Sequence, residues 1–492
     1  MRKKKASDRL STGVAGLDEV LCGGFIAGRS YLVRGGPGTG KTTLGLHFLT
    51  EGVRHGERVL LITLTETEPQ IRANAETMGF DLSGVSFLDL SPGQEFFAES
   101  EAYDIFSPAE VERQPTTTKI IERIDEVKPQ RIFLDVMPQL RYLSQDVFQF
   151  RRQSLSMIRY FIGRGATVLL SSESTGTDPD DDIQFLADGV ISLESSPAGR
   201  NLVVMKLRGS DFRGGVHSVL LGGTGLDVLP RLLPEPGATD YSTEILSSGV
   251  PELDELLNGG IDRSGITLIT GPSGVGKTTL GLQFLKEAAG RGDRCALYSF
   301  EEQVESMLYR CAGVNIPAES MVSHGNLSLV KVEPLRYSAD EFAHLVRRDV
   351  VEKGTRMVMI DGVSGYRLAV QGVGADLIAH LHALCKYLQK RGVTVLLINE
   401  VEAITGDFCV TEHSISYMAD NIIFFRYVEV GGEMRKAIGV LKKRTGPFER
   451  TLREFEITRY GIKVGEPLTK LRGILTGIPY FIPDEKAEGP AK

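Results

Sequence analysis

The chain has 492 residues, more than one hydrophobic core usually serves, so we expect two or three domains. Apolar residues make up 41% and charged residues 24%, as in an ordinary soluble globular protein, and the net charge of −8 argues against a dedicated nucleic-acid binder. The five cysteines form no C-x-x-C pair, which argues against a disulfide framework or a zinc site. We find neither a signal peptide nor an apolar run near the ~18 residues of a membrane span, so we expect a cytoplasmic protein.

The chain contains an internal repeat. Residues 11–14 (Ser-Thr-Gly-Val) recur at 247–250 (Ser-Ser-Gly-Val), an offset of 236 residues that also relates Lys41 to Lys277. A period of this length indicates two copies of one domain in tandem. We expect a first domain at 1–232, a linker at 233–246, a second domain at 247–465 and a tail at 466–492.

Within each copy, apolar runs alternate with helical patterns, which predicts an α/β fold with a mostly parallel sheet flanked by helices. In the first copy we expect strands at 58–64, 85–90, 131–135 and 167–171, helices at 116–127 and 151–162, and an antiparallel pair at 189–194 and 202–207. In the second copy we expect strands at 294–300, 327–332, 357–361 and 393–398, and an antiparallel pair at 421–427 and 437–441.

Each copy carries G-x-x-x-x-G-K-T between an apolar run and a helical pattern, at 35–42 and 271–278. Strand, glycine loop and helix are the context of a phosphate-binding loop, or P-loop, in which the lysine reaches the β- and γ-phosphates and the threonine ligates Mg²⁺. The residues expected to bind ATP are Gly36, Gly38, Thr39, Gly40, Lys41, Thr42 and Thr43, and Gly274, Val275, Gly276, Lys277, Thr278 and Thr279.

Two further groups of acids fit nucleotide hydrolysis. Asp135 and Asp361 each end an apolar strand, where a carboxylate completes the Mg²⁺ site begun by Thr42 and Thr278. A water-activating acid is expected after an earlier strand. The second copy has Glu301 and Glu302 there, a base and an orienting partner in our interpretation. The first copy has Thr65 and Glu66, so the two sites are expected to differ in turnover.

A Lys-x-Arg pattern closes each copy, as Lys206 and Arg208 and again as Lys442 and Arg444. Alternation along a strand points both cations to the same face. This arrangement suits cations that reach a γ-phosphate across a subunit boundary, although exposed basic edges are also common.

These motifs together resemble the KaiC family, the tandem RecA-like ATPases and autokinases of the cyanobacterial clock and their bacterial and archaeal relatives. The resemblance extends to the stretches at 427–434, 453–457, 474–479 and 484–486. It implies a homohexamer of two rings with Mg-ATP between neighbouring subunits, and Lys206, Arg208, Lys442 and Arg444 would act in trans. It also implies a slow ATPase in the first ring, and autokinase and autophosphatase activity in the second.

The chain departs from this family in three places. Ser416 stands at the family's serine phosphoacceptor, but Tyr417 stands at the adjacent threonine; Thr411 is a secondary candidate. Thr65 replaces the leading glutamate of the first site, so catalysis of hydrolysis there is expected to rest on Glu66. The tail stops soon after 484–486, so a KaiA-like regulator is not expected, whereas a KaiB-like or signalling protein remains an expected partner.

Two other functions are also compatible with the sequence. A scaffold whose nucleotide state controls partner binding would bind ATP and hardly turn it over. A DNA-dependent ATPase of the RecA or RadA type would respond to single-stranded DNA, but the acidic chain shows no amino-terminal zinc ribbon.

Overall fold

The computed structural model of the chain describes residues 9–91, 108–137, 147–173, 181–196, 199–232, 244–334, 336–370, 377–401, 415–430, 432–469, 471–473 and 480–481. The chain divides into two compact units, Met1–Arg231 and Leu232–Lys492. The linker expected at 233–246 falls mostly outside the described residues, as do Thr411 and most of the tail.

The first unit is built on one nine-stranded sheet in the order β11-β10-β9-β8-β3-β7-β6-β4-β5. The strands are β1 (Arg9–Leu10), β2 (Phe25–Ile26), β3 (Ser30–Gly35), β4 (Val59–Thr63), β5 (Ser86–Asp89), β6 (Arg131–Asp135), β7 (Thr167–Ser172), β8 (Gly189–Ser196), β9 (Gly199–Leu207), β10 (Val216–Gly222) and β11 (Gly225–Leu229). The helices are α1 (Ala15–Val20), α2 (Lys41–Arg54), α3 (Glu68–Thr77), α4 (Pro108–Val127), α5 (Val147–Gly163) and α6 (Asp181–Leu186).

The second unit repeats this plan, in the order β16-β15-β17-β18-β14-β19-β20-β21-β22. Its strands are β12 (Ile245–Leu246), β13 (Ile261–Asp262), β14 (Ile266–Gly271), β15 (Cys295–Ser299), β16 (Leu327–Lys331), β17 (Met357–Asp361), β18 (Thr394–Glu400), β19 (Asn421–Val430), β20 (Glu433–Lys443), β21 (Arg453–Thr458), β22 (Gly461–Pro467), β23 (Leu471–Arg472) and β24 (Tyr480–Phe481). Its helices are α7 (Pro251–Leu256), α8 (Lys277–Gly290), α9 (Val304–Ala312), α10 (Ala318–Ser323), α11 (Ala339–Lys353), α12 (Val363–Val370) and α13 (Leu377–Lys390), followed by a 3-10 helix (Ile415–Tyr417).

The fold class expected from the sequence is confirmed. Six neighbouring strands of the first sheet, from β8 to β5, are parallel, and β9, β10 and β11 continue the sheet antiparallel. The central strands β4 and β7 are buried on both faces, which explains their largely apolar sequences. Helix α4 starts eight residues before the expected position 116, and β22 runs to Pro467, past the expected start of the tail at 466.

The repeated Ser-[Ser/Thr]-Gly-Val motif is explained by an acid seven residues after its first serine. The Asp18 carboxylate accepts hydrogen bonds from Ser11 Oγ (2.6 Å), from the Thr12 backbone N–H (2.8 Å) and from Thr12 Oγ1 (2.7 Å). Asp254 holds the second copy of the motif in the same way. Because these bonds satisfy buried polar groups, the motif is a structural clamp on the start of each domain.

The helix that follows each P-loop packs a glycine against the strand that ends in the candidate Mg²⁺ aspartate. A Cβ added at Gly45 would lie 2.2 Å from the Phe133 ring, whereas one at Gly281 would meet the end of the Met359 side chain at 2.6 Å. An aromatic ring between a helix and a sheet has little room to move, but a methionine has flexible torsions.

We therefore expect Gly45→Ala to lower the free energy of unfolding of the first unit by about 1–3 kcal/mol, as overpacking usually does. Gly281→Ala should change the second unit by less than about 1 kcal/mol, because the methionine can shift and alanine favours the helix. Calorimetry of the two full-length variants would test this. Equal destabilisation by both substitutions would contradict it.

Candidate nucleotide-binding sites

The two P-loops have the backbone that phosphate binding requires. Gly38 and Gly40 have φ values of 71° and 103°, and Gly274 and Gly276 have 72° and 114°. These left-handed conformations suit glycine, and they turn successive N–H groups toward the centre of the loop. Each loop leads directly into the amino-terminal end of a helix, where anions are favoured.

The P-loop lysines are buried under their loops. Lys41 Nζ donates to the carbonyl oxygens of Gly35 (3.0 Å) and Gly36 (2.8 Å), and Lys277 Nζ donates to that of Pro272 (2.7 Å). Burial lowers the pKa of both lysines, and nearby carboxylates oppose that effect. A phosphate would restore the favourable environment of the charged amine.

A hydroxyl and a carboxylate meet beside each P-loop. Thr42 Oγ1 donates to Asp135 Oδ2 at 2.7 Å, and Thr278 Oγ1 donates to Asp361 Oδ1 at 3.0 Å. Burial raises the pKa of both aspartates; for Asp361 it reaches about 7, with the Glu301 charge as a further cause. A carboxylate kept from water beside a hydroxyl fits Mg²⁺, which takes few protein ligands and keeps several waters.

A glutamate that we did not predict faces each P-loop lysine. Glu173 Oε1 lies 3.7 Å from Lys41 Nζ, and Glu400 Oε2 lies 3.9 Å from Lys277 Nζ. Glu400 pairs with the last residue of the P-loop strand, Gly271, and Glu173 directly follows the Ser172 that pairs with Arg34. The two glutamates therefore occupy equivalent places, at the carboxyl end of the strand between the P-loop strand and the aspartate strand.

The adjacent acids of the second site have different surroundings. Glu302 is held by helix α9, because its carboxylate pairs with Arg310 Nη2 at 2.6 Å and accepts from Ser306 Oγ at 2.9 Å. Partial desolvation, and next the Glu400 charge, raise the pKa of Glu301, whereas Lys277 lowers it. Glu301 is thus the acid whose charge is coupled to the P-loop lysine, and Glu302 is the acid fixed in place.

The first site keeps a glutamate at the position that corresponds to Glu302. Glu66 accepts a hydrogen bond from Asn74 Nδ2 at 3.3 Å, and positions 66 and 74 correspond through the offset of 236 to Glu302 and Arg310. A cleft of about 240 Å³ is lined by Glu66, Asn74 and residues of the P-loop helix. The position of the lysine-coupled acid is taken by Thr65, whose side chain is exposed.

The Lys-x-Arg cations lie toward the end of each sheet that is opposite the P-loop. Lys206 pairs with Val190, which in turn pairs with Leu32, and Lys442 pairs with Ile422, the neighbour of Leu268. Leu32 and Leu268 precede the last residue of their strand by three residues, so the lysine backbone lies roughly 10 Å from the P-loop along the strand.

The side chains of these cations extend away from the P-loop. Lys206 Nζ donates to the Ala187 carbonyl at 2.6 Å, and Lys442 Nζ donates to that of Ala419 at 2.7 Å, both just before the strand that flanks the P-loop strand. Arg208 and Arg444 pair with the aspartates that follow these alanines, at 3.8 Å and 2.9 Å.

The candidate phosphoacceptor Ser416 lies beside the second cation pair. Lys442 Nζ donates to the Ser416 carbonyl at 3.3 Å, and Arg444 Nη2 lies 3.5 Å from that of Tyr417. The Tyr417 ring stacks on His382 with centroids 5.7 Å apart, and its hydroxyl lies 3.1 Å from His382 Nδ1. Tyr417 therefore anchors the short helix that carries Ser416.

Fold and sites together define a protein with two tandem RecA-like P-loop NTPase domains. The family model for the ATPase KaiC matches residues 10–232 and 246–469. The circadian clock oscillator proteins KaiC of Parasynechococcus marenigrum and of Prochlorococcus marinus are both 28% identical to the chain; they cover 98% and 97% of it, and 95% and 96% of their own lengths are matched. The circadian clock protein KaiC3 of Synechocystis sp. is 26% identical over 98% of the chain and 96% of its own length.

The chain therefore belongs to the KaiC family of ATPases, and the resemblance seen in the sequence is confirmed. Among the described residues, no helix combines the length and the apolar character that crossing a bilayer would need.

Proposed function

We propose that the chain is a homohexameric ATPase that binds Mg-ATP between neighbouring subunits in two rings, and that its second domain phosphorylates itself on Ser416. The proposal includes a role in which nucleotide and phosphorylation state are read as a signal or a timer by partner proteins. It rests on the family membership and on the geometry of each domain.

One observation carries the proposal: the P-loop and the Lys-x-Arg pair lie at opposite ends of one sheet. Lys206 and Lys442 bind carbonyl groups at the amino end of the P-loop strand, while the P-loop follows its carboxyl end. Cations so placed cannot touch the γ-phosphate bound by their own domain. They act instead on a phosphate held by a neighbouring copy, in the manner of an arginine finger.

In the second site, each acid has a separate role in hydrolysis. Thr278 and Asp361 would hold Mg²⁺, which would neutralise part of the phosphate charge. Glu301 accepts a proton from the water that attacks the γ-phosphate, since partial desolvation raises its pKa and makes it a stronger base. Glu302, held by Arg310, orients the segment that carries Glu301.

Self-phosphorylation is proposed at Ser416 because the backbone of this residue contacts Lys442, one of the cations proposed to act in trans. Its hydroxyl oxygen forms the new bond to the γ-phosphorus of a nucleotide in the neighbouring subunit, the bond to the bridging oxygen breaks, and ADP leaves. Glu301 of that neighbouring subunit's site accepts the hydroxyl proton. Lys442, whose side chain contacts the Ser416 carbonyl, stabilises the charge on the transferring group.

A regulatory scaffold is a second candidate, favoured by Thr65 and Tyr417. Thr65 replaces the leading glutamate that the family resemblance assigns to hydrolysis, and Tyr417 replaces the family's threonine phosphoacceptor. Tyr417 is also anchored on His382. A ring of this kind would bind ATP with little turnover and present different surfaces with ATP and ADP.

We expect Glu301→Gln to lower the kcat for ATP about 100-fold or more, because it removes the proton acceptor. Glu302→Gln should lower kcat only about tenfold, the scale of one hydrogen bond to a charged group. Steady-state phosphate release would be measured in a Lys41→Ala background, so that only the second site reports. Equal effects of the two substitutions, or none, would contradict these roles.

Incubation with Mg-ATP should place phosphate on Ser416, as mapped by mass spectrometry of peptides spanning 405–426. Ser416→Ala should abolish this phosphate, and Lys442→Ala should lower its rate of appearance at least tenfold through loss of charge stabilisation. A matched control is Lys463→Ala, on the exposed hairpin of β21 and β22. Phosphate release without any phosphopeptide would reject the kinase and favour the scaffold.

A further inference from the structure

The first site presents a chemical problem that the second site does not. Thr65 stands where the second site has Glu301, and a threonine hydroxyl cannot accept a proton at neutral pH. Glu66, the remaining acid of that segment, is the counterpart of the fixed Glu302 and is bound to Asn74. The segment 65–66 of the first site therefore has no counterpart of the acid that is coupled to the P-loop lysine in the second site.

Glu173 is placed to supply such a carboxylate. It follows the last residue of β7, the strand between the P-loop strand β3 and the aspartate strand β6, so it lies at the edge of the sheet where the P-loop begins. Its Oε1 lies 3.7 Å from Lys41 Nζ, and 46% of its side chain is exposed, so a water molecule can reach it.

Nucleotide binding would change the surroundings of this carboxylate. When Lys41 turns to the β- and γ-phosphates, Glu173 loses its ion partner and lies next to the place that the γ-phosphate occupies. A carboxylate there is within reach of a water on the outer side of that phosphate.

We infer that Glu173 is the catalytic base of the first site, taking the part that Glu301 has in the second. The water oxygen forms a bond to the γ-phosphorus, the bond from that phosphorus to the bridging oxygen breaks, and ADP leaves. The proton of the water passes to the Glu173 carboxylate and then to solvent. The inference rests on the proposed ATPase function, and it names the residue that performs it in one of the two sites.

Glu400 provides an internal comparison. It has the same place in the sheet and the same lysine contact, at 3.9 Å, but its site also contains Glu301. If these glutamates only hold the lysine, removing either one should have the same effect. If Glu173 is a base, its removal should be far more costly than that of Glu400, because only the first site depends on it.

The test uses full-length chains with one site silenced at a time. In a Glu301→Gln background, the added Glu173→Gln should lower kcat about 100-fold or more with the KM for ATP within about threefold. In a Lys41→Ala background, Glu400→Gln should lower kcat less than tenfold. Adding Thr65→Glu to the Glu301→Gln, Glu173→Gln chain should restore turnover, since it places a carboxylate where the second site has one.

Three results would overturn the inference: an unchanged kcat, a change in KM alone, or equal losses at Glu173 and Glu400. A Glu301→Gln chain without any turnover would also overturn it, because the first site would then not hydrolyse ATP. The proposed ATPase function has a separate readout, since it fails only if the unmodified chain releases no phosphate from Mg-ATP.

Discussion

The strongest constraint on this protein is the direction of its strands. Parallel strands bring the P-loop, the metal-site aspartate and the lysine-facing glutamate to one edge of each sheet, because all of them follow the carboxyl ends of neighbouring strands. After the parallel strand β8 or β19, the chain turns back into the antiparallel strand β9 or β20. The Lys-x-Arg pair stands at the end of that antiparallel strand and therefore lies at the opposite edge of the sheet. In the proposed function, this cation pair completes a phosphate site that its own P-loop cannot share with it. The proposed ring, which places copies head to tail, would resolve this separation.

The two domains share the same fold and differ in the residues of the acid segment at each candidate nucleotide site. The hydroxyl–carboxylate pair and the lysine–glutamate pair occur in both, with distances that agree within 0.3 Å. The acid segment differs, since Glu301 and the Arg310 clamp of the second site are replaced by Thr65 and Asn74 in the first. A duplicated domain can change its rate in this way without changing its fold, because these side chains are at the surface of a core that both copies share.

Much of the fold and part of the site could be predicted from the sequence. The P-loops and the strand-ending aspartates are local patterns, and buried parallel strands give continuous apolar runs, so both were visible. Glu173 and Glu400 could not be recognised, because the two copies differ in length before these residues. They are 227 positions apart, so the repeat offset of 236 does not align one with the other. Arg310 was also missed, since its contact with Glu302 depends on the direction of helix α9. The Lys-x-Arg pattern suggested a shared face, but its place at the far edge required the strand register.

The most direct test of this account is complementation between two inactive variants. Chains with Lys277→Ala lack a second P-loop lysine but keep Lys442 and Arg444, and chains with Arg444→Ala have the reverse defect. To isolate the second site, both chains also carry Lys41→Ala. If the site is shared between subunits, each chain alone should be nearly inactive as an ATPase. Mixed assemblies should recover part of the activity, because some interfaces then combine an intact P-loop with intact cations. Mixed assemblies without recovery, or full activity of the Arg444→Ala chain, would contradict a site shared between subunits.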